Sequence, residues 1–446
     1  MKLPPMLLAA SAALLLTTHT ATAAPIAPHF AATAGKVAAY PVQREEEEDH
    51  QTFITPEGQG PVTIAPASPT ITVGNAEITS EFTKRYGGSP NPVVPTATRL
   101  NYMETSSAMV GSVQFEVGNR FAAFSNDAGS TWNLIDPFSQ FDSSGTGGFC
   151  CDQDALYEPH HDLMFWSMMY GHIFTGLNNN IVRLAVYRKA SAGLSSNNWI
   201  YYDLMPSQTG GPPGGGEAYD FPRMSLSNNY LYITAEVVWT TPYTFARSVV
   251  MRIPLNELAA GNPLTLDYYS ASNNFIYCAV QGARGTAYFA GHNSTSSMRI
   301  FKWPETATQP TYVDTTVPKW SNASPPVCPS ADGTDWCQGG VYDNRIMTGV
   351  LAPKLGEIWF FWDVAQNGGF LQPYINAARF STTDFSYRGS PMLYHRSFPF
   401  RYVAAAANIT ATLVSPRIPA AVPVASRLRS RVSSTSTPAR RRRSPA

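Results

Sequence analysis

Two short segments of this chain share a pattern of residues that suits nucleophilic and acid–base chemistry. The pattern is Tyr-Asp followed closely by Arg, and it occurs at Tyr219, Asp220 and Arg223 and again at Tyr342, Asp343 and Arg345. Only 14% of the residues are charged, so the recurrence exceeds what composition predicts. A tyrosine can act as nucleophile or proton donor, with a neighbouring aspartate as general acid or base. The planar fork of an arginine suits a carboxylate.

These segments stand just before strand-like runs, as do Asp152 and Arg401, so all of them form one site if the strand starts converge. The catalytic candidates are then Asp152, Tyr219, Asp220, Tyr342 and Asp343, and the substrate-binding candidates are Arg223, Arg345 and Arg401. The alternative is that Asp and Arg of one strand start pair structurally. Side chains at i and i+2 share a strand face. Asp343 and Arg345 meet that condition, whereas Asp220 and Arg223 need a bulge near Pro222.

The elements that position these residues are strands in a repeated strand-turn-strand unit. Copies recur about every 40 to 70 residues, the spacing of propeller blades. They lie at residues 112–124, 155–166, 224–234, 276–290 and 346–362, with a weaker copy at 400–405. Residues 254–260 alone look helical. We predict an all-β fold, a β-propeller of four-stranded blades with six blades, or with seven if residues 70–97 supply the closing strands. The alternative is a pair of β-sandwiches.

A hairpin motif at residues 125–132, Ser-Asn-Asp-Ala-Gly-Ser-Thr-Trp, follows the strand-like run 120–124. Asp127 can accept hydrogen bonds from backbone N–H groups two residues on, and Gly129 can take a positive φ. Trp132 then buries its ring where the next strand begins. The pattern Ser-x-Asp-x-Gly-x-Thr-Trp resembles the Asp-box, or BNR repeat, of sialidase-like β-propellers. In that family the box lies on the outer part of a blade, so the resemblance implies the fold rather than the catalytic site.

The resemblance departs from the sialidases in one motif. Their Arg-Ile-Pro precedes the first Asp-box, whereas Arg252-Ile253-Pro254 follows it here, and we interpret this copy as chance. We predict a carbohydrate-active protein that acts on a uronate- or sialate-containing glycan as a glycoside hydrolase or polysaccharide lyase. A lyase needs a base, and His172 or His292 with Tyr219 and an arginine is one candidate. The alternative is a non-catalytic propeller that binds carbohydrate or protein.

The ends of the chain predict export. Residues 1–23 carry Lys2, an apolar run and a small-x-small cleavage site, as in a secretory signal peptide. Residues 24–95 form an Ala/Pro-rich, partly acidic leader that we expect to be flexible. The propeller domain spans 96–405, and 406–446 form a disordered tail rich in Arg, Ser and Pro. We therefore expect an extracellular protein.

The net charge of zero combines an acidic main part of the chain with a basic C-terminal tail. The chain has 31 basic and 31 acidic residues, but eight of the arginines lie in the tail, which contains no acid. We expect an acidic glycan or polysaccharide as partner, no nucleic acid, and a monomer. No apolar run after the signal peptide reaches the roughly 18 residues of a membrane span, so none is predicted.

Cysteines and sequons fit an oxidising compartment. Cys328 and Cys337 flank a loop, so we predict a local disulfide between them. Three cysteines remain, Cys150, Cys151 and Cys278, so one of them is unpaired or pairs outside the chain. Asn293 and Asn408 are the expected glycosylation sites. We predict no cofactor and no metal-thiolate site. A structural calcium ion near Asp152 to Asp154 stays an open alternative.

Overall fold

The computed structural model describes most of the predicted domain. Side chains are described for residues 105–171, 180–272, 276–321, 345–364, 370, 373–393 and 403–405. The backbone alone is described at residues 19–26, 29–30, 275, 406–407 and 413–414. Several predicted features lie outside the described residues: His172, Cys328, Cys337, Tyr342, Asp343, Arg401 and Asn408.

The described chain is almost entirely β-structure. In chain order the strands are β1 (His19–Ile26), β2 (His29–Phe30), β3 (Ser106–Val110), β4 (Val113–Gly118), β5 (Phe121–Ser125), β6 (Asn133–Ile135), β7 (Phe149–Glu158), β8 (Leu163–Tyr170), β9 (Ile181–Arg188), β10 (Trp199–Leu204), β11 (Glu217–Leu226), β12 (Tyr230–Thr240), β13 (Tyr243–Pro254), β14 (Leu264–Ala271), β15 (Phe275–Gln281), β16 (Thr286–Ser294), β17 (Ser297–Pro304), β18 (Thr311–Thr316), β19 (Ile346–Ala352), β20 (Glu357–Val364), β21 (Tyr374–Ser381), β22 (Tyr387–Gly389), β23 (Met392–Leu393), β24 (Ala406–Ala407) and β25 (Leu413–Val414). Short 3₁₀ turns lie at Ala190–Ala192 and Pro206–Thr209, and the predicted helix is present as α1 (Leu255–Ala260).

The sheet order gives five repeating units. β3–β6, β7–β10, β11–β14, β15–β18 and β19–β22 are each antiparallel sheets in chain order, and we number them blades 1 to 5. β2 extends the outer edge of blade 2, and β1 extends that of blade 3. The predicted all-β propeller of four-stranded blades is confirmed. Five blades lie within the described residues, so the six or seven expected for the whole ring stays a prediction.

The first strand of each blade is the inner one, and hydrogen bonds join these strands side by side. Ser106 Oγ of β3 donates to Asp154 Oδ1 of β7 over 2.6 Å. Met224 N of β11 donates to Asp154 Oδ2 over 2.8 Å, and Gln281 Nε2 of β15 donates to Met224 O over 2.6 Å. β15 and β19 then pair in parallel through their backbones. The starts of these strands therefore lie at one end of the ring, which the convergence of the predicted site requires.

Packing between blades covers both faces of their second strands. All eight residues of β8 and all eight of β20 are buried. Alternation of buried and exposed residues is kept where one face meets solvent, as in β3. The sequences of β8 and β20 are therefore mainly apolar on both faces, because neighbouring blades bury each face.

The outer strands repeat an ion pair that the sequence did not reveal, between a largely buried arginine and a more exposed aspartate. In blades 2, 3 and 4, an arginine of the third strand stands directly opposite an aspartate of the fourth. The pairs are Arg183–Asp203 at 2.6 Å, Arg252–Asp267 at 2.6 Å and Arg299–Asp314 at 2.7 Å. Each guanidinium also stacks on an aromatic ring. Arg252 of the Arg-Ile-Pro sequence is thus a structural residue of blade 3.

The hairpin at residues 125–132 joins β5 to β6 at the outer part of blade 1. Asp127 Oδ1 accepts from Thr131 N over 2.8 Å, four residues on rather than the two expected. Ser125 Oγ donates to Asp127 Oδ1 over 2.7 Å and accepts from Gly129 N over 2.8 Å. Gly129 has φ +84°, and Trp132 is buried. These hydrogen bonds hold the pKa of Asp127 at about 2, with the Thr131 hydroxyl as the largest cause.

Candidate functional site

The inner strands are irregular at their starts in four successive blades. One extra residue interrupts the pairing of β11, of β15 and of β19, and two interrupt that of β7. A β-bulge bends its strand and redirects a side chain, and bulges are frequent beside active sites. We call this end of the ring the mouth, defined by residues 149–154, 217–223, 275–278 and 345–348 together with the adjoining hairpin 236–243.

The bulge of β11 lies near Pro222, where structural pairing of Asp220 with Arg223 would need one. Asp220 pairs with Glu236 and Arg223 with Thr234, so one residue is extra between them. Phe221 takes φ +50°, a conformation that a bulky side chain rarely adopts and that costs on the order of 1–3 kcal/mol. Phe221 N donates to Asp220 Oδ1 over 2.9 Å, which fixes the turn. The strained residue is the one that presents its ring to the mouth.

Two predicted arginines from different blades meet on that ring. The guanidinium carbon of Arg223, from blade 3, lies 4.5 Å from the centroid of Phe221, and that of Arg345, from blade 5, lies 4.1 Å from it. Such distances suit cation–π contacts. The structure thus brings together Arg223 and Arg345.

The two guanidinium groups differ in their partners. Arg345 is buried, and its Nη2 lies 3.8 Å from Oε2 of the fully buried Glu236. Arg223 is half-buried, and among the described residues its guanidinium makes no hydrogen bond or ion pair. Asp154 is close enough for its charge to interact with that of Arg223. Of these two arginines, Arg223 is the one whose donors no described residue uses.

Asp154 is a linking residue of the inner strands. Its carboxylate accepts from Ser106 Oγ, Ala155 N and Met224 N. Burial raises its pKa, against the opposing effects of Arg223 and of these hydrogen bonds. Because both oxygens are already used, Asp154 adds little to a cation site, and the described residues contain no group of three His, Cys, Asp or Glu side chains arranged for a metal. Neighbouring Asp152 is half-buried and is the extra residue of the second bulge of β7.

A tyrosine and an aspartate form a hydrogen-bonded pair at the mouth. Tyr243 Oη donates to Asp220 Oδ2 over 3.3 Å. Tyr243 is half-buried, and Asp220 is 5% exposed. A phenol beside a carboxylate can act as nucleophile or acid, because the carboxylate can take its proton. Tyr243 was not foreseen from the sequence, since it lies 23 residues after Asp220 on β13.

The prediction that Tyr219 is a catalytic residue is wrong, because its side chain lies in the core between blades 2 and 3, although its backbone belongs to the mouth segment 217–223. It is fully buried, and its hydroxyl contacts Thr209 Oγ1 at 2.7 Å and donates to Met205 O over 2.9 Å. Burial raises its pKa well above the usual value. Adjacent residues of a strand point to opposite faces, so Tyr219 and Asp220 do not share the site. Tyr219 is therefore a core residue rather than a candidate nucleophile.

The cysteines pair in a way that the sequence did not suggest. Cys150 and Cys151, adjacent in the chain, form a disulfide at the first bulge of β7. Cys278 is a buried free thiol, and burial raises its pKa to about 12.

Asn293 Nδ2, the atom to which a glycan attaches, donates to Asp314 Oδ1 over 2.9 Å. Glycosylation of Asn293 stays a prediction.

His292 does not fit the role of a base, because it lies in the core next to blade 5. It is 4% exposed, and its ring lies 4.9 Å from the rings of Trp320 and Trp362. Neither ring nitrogen has a hydrogen-bond partner among the described residues. Burial lowers its pKa from 6.5 to about 3.

Because His292 is buried in its neutral form, we expect the free energy of unfolding to fall in acid. Between pH 6.5 and about 3 the unfolded chain binds a proton that the folded chain does not, so the free energy of unfolding falls as the pH falls. The slope from this group is about 1.4 kcal/mol per pH unit. His292→Phe keeps a ring but removes the proton site, so denaturant unfolding across this range should lose that slope. His160→Gln, at an exposed turn, should keep it; equal slopes in both variants would refute the assignment.

No helix in the part of the chain that the structure describes is long and apolar enough to cross a membrane. No protein-family model matches this sequence, and no curated protein matches it either.

Comparison with solved structures finds enzymes named for carbohydrate substrates. The NanB sialidase of Streptococcus pneumoniae, in a mutant form, has a TM-score of 0.43 at 9% identity, over 74% of this chain and 67% of that one. The exo-β-1,3-galactanase of Phanerochaete chrysosporium has a TM-score of 0.36 at 9% identity, over 64% of this chain and 62% of the galactanase, so less than two thirds of that enzyme is spanned. A mutant α-L-arabinanase of Cellvibrio cellulosa has a TM-score of 0.32 at 9% identity, over 72% of this chain and 96% of that one. The propeller assignment rests on the sheet order itself.

Proposed function

We propose that this protein is a secreted, monomeric carbohydrate-active enzyme that binds an acidic glycan at its mouth and cleaves a glycosidic bond there. Arg223 is the observation that supports this most. Its half-buried guanidinium is held on the ring of Phe221, and no described residue occupies its hydrogen-bond donors. A guanidinium in this state suits the carboxylate of a uronate or sialate, which it can bind through two parallel hydrogen bonds.

Tyr243 and Asp220 are the residues that carry out bond cleavage at the bound sugar. In a hydrolase, Tyr243 attacks the anomeric carbon while Asp220 takes its proton, and the half-buried Asp152 protonates the departing oxygen. Asp152 then takes a proton from a water molecule that attacks the anomeric carbon, and Tyr243 leaves with the proton that Asp220 held. In a lyase, Asp220 first takes the phenol proton of Tyr243, and the phenolate removes the sugar proton next to the carboxylate that Arg223 neutralises. The glycosidic oxygen leaves with a proton from Asp152 as a double bond forms. Both reactions use the same side chains, so the products decide between them.

The test compares Arg223→Ala with Arg284→Ala. Arg284 is exposed in the turn after β15, at the opposite end of the ring, so both variants remove one positive charge. Losing charge-assisted hydrogen bonds of about 1.5–3 kcal/mol weakens binding roughly 10- to 150-fold. Calorimetry should show this loss for uronate- or sialate-containing oligosaccharides in Arg223→Ala alone. Equal affinity in wild type and both variants would overturn the assignment of the site.

The non-catalytic alternative is decided in the same screen. Binding of an acidic glycan without any bond cleavage supports a recognition propeller. Cleavage to a product with an ultraviolet-absorbing double bond identifies a lyase, and cleavage to new reducing ends without that absorbance identifies a hydrolase.

A further inference from the structure

The disulfide between Cys150 and Cys151 lies at the mouth, next to residues of the proposed reaction. In a regular strand, neighbouring side chains point to opposite faces, so two adjacent cysteines cannot bond. β7 is irregular at this point: Cys150 and Asp152 are the extra residues of two consecutive bulges. The bulge therefore permits the disulfide, and the small ring that the disulfide closes fixes the bulge.

The disulfide and Tyr243 belong to the same apolar cluster. Cys151 is buried in a cluster with Met169, Ala218 and Val238, and the partly buried Cys150 and Tyr243 pack against that cluster. Tyr243 is the residue that donates to Asp220. The disulfide is therefore adjacent in sequence to Asp152, and it packs in the same apolar cluster as the side chain of Tyr243.

We propose that the Cys150–Cys151 disulfide is a positioning element of the mouth, which holds Asp152 and Tyr243 in place, and that its reduction by a small thiol switches the site off. The reaction residues named here rest on the proposed function above. The disulfide itself does not touch the reacting bond.

The reduction is ordinary thiol–disulfide exchange. A thiolate attacks Sγ of the half-buried Cys150, the S–S bond breaks, and its electron pair leaves on Sγ of Cys151, which takes up a proton. A second thiolate then attacks the mixed disulfide and releases Cys150 as a thiol. The two small thiols are oxidised to their own disulfide, and the protein gains both electrons.

The experiment uses the full chain with glutathione or dithiothreitol as reductant. Mass spectrometry after alkylation reports which cysteines were reduced. Hydrogen–deuterium exchange reports the mobility of residues 149–155 and 240–245. Turnover of an acidic glycan is measured in parallel, with kcat and KM determined separately and the acid limb of the pH profile followed.

We expect reduction to raise exchange in both segments and to lower kcat on the order of 100-fold, with a smaller change in KM, because small displacements of reacting groups have effects of that size. The variant Cys150→Ser/Cys151→Ser should match the reduced wild type and should not respond to the reductant. Cys328→Ser/Cys337→Ser should still respond, which separates this effect from any second disulfide.

The possible outcomes distinguish this inference from the proposed function. Unchanged exchange and unchanged kcat after alkylation of Cys150 and Cys151 would overturn the positioning role while the enzyme stands. If the oxidised protein cleaves no glycan, the proposed function fails, and hydrogen exchange at residues 240–245 still supports or overturns the positioning of Tyr243.

Discussion

Replacing Tyr243 by phenylalanine is expected to lower turnover of an acidic glycan by about 10²- to 10⁴-fold while its affinity stays nearly unchanged. The change removes only the hydroxyl that donates to Asp220 over 3.3 Å. The ring and its packing near the disulfide remain, so the fold and the sugar-binding surface should persist. Steady-state kinetics and calorimetry on one oligosaccharide measure the two quantities separately.

The control for Tyr243→Phe is Tyr312→Phe, because Tyr312 is an exposed tyrosine on the outer strand of blade 4. It should keep full turnover. Asp220→Asn should resemble Tyr243→Phe, and combining the two should add little, since residues that act as a unit are not additive. Full turnover in Tyr243→Phe would remove it from the mechanism.

Arg183→Ala is expected to lower the free energy of unfolding by about 3–5 kcal/mol, the usual effect of breaking a buried ion pair. Arg183 is 2% exposed, and its Nε and Nη2 donate to the two oxygens of Asp203 over 2.6 and 2.8 Å. Its guanidinium carbon lies 4.1 Å from the ring centroids of both Tyr170 and Tyr201. Removal leaves Asp203 without this partner and leaves a gap between two rings. Denaturant unfolding measures the loss.

The same position in blade 4 gives a matched comparison. Arg299 and Asp314 are 13% and 44% exposed, against 2% and 22% for Arg183 and Asp203. Solvent screens exposed pairs, so Arg299→Ala should cost clearly less, about 1 kcal/mol. An equal loss in both variants would show that burial does not set the strength of these repeated pairs.

The sequence predicted the fold well, because its recurrence and strand-like runs are local signals. The helix predicted at residues 254–260 is present as α1. The bulge that pairing of Asp220 with Arg223 would need is also present, but the described residues show no ion pair between the two. Arg223 and Arg345 come together as expected. Each of these follows from residues that lie close in the chain or from repetition of a unit.

The remainder of the site depends on contacts between distant residues. Glu236 and Tyr243 reach the mouth from the second and third strands of blade 3, which a search of first-strand starts does not find. A lone acid in the apolar run of β12 was the available signal for Glu236. Strand alternation was the signal that Tyr219 and Asp220 face opposite ways. For Cys150 and Cys151 no local rule sufficed, because their bond needs the bulge.

Binding of a uronate-containing oligosaccharide and of its methyl ester, measured by calorimetry on wild type and Arg223→Ala, tests most directly whether the mouth recognises a carboxylate. Esterification removes the charge and keeps the sugar. We predict that the ester binds wild type at least about tenfold more weakly than the acid, and that Arg223→Ala no longer distinguishes the two. Equal affinity of acid and ester for wild type would show that Arg223 is not a carboxylate-binding residue and that the mouth does not select an acidic glycan.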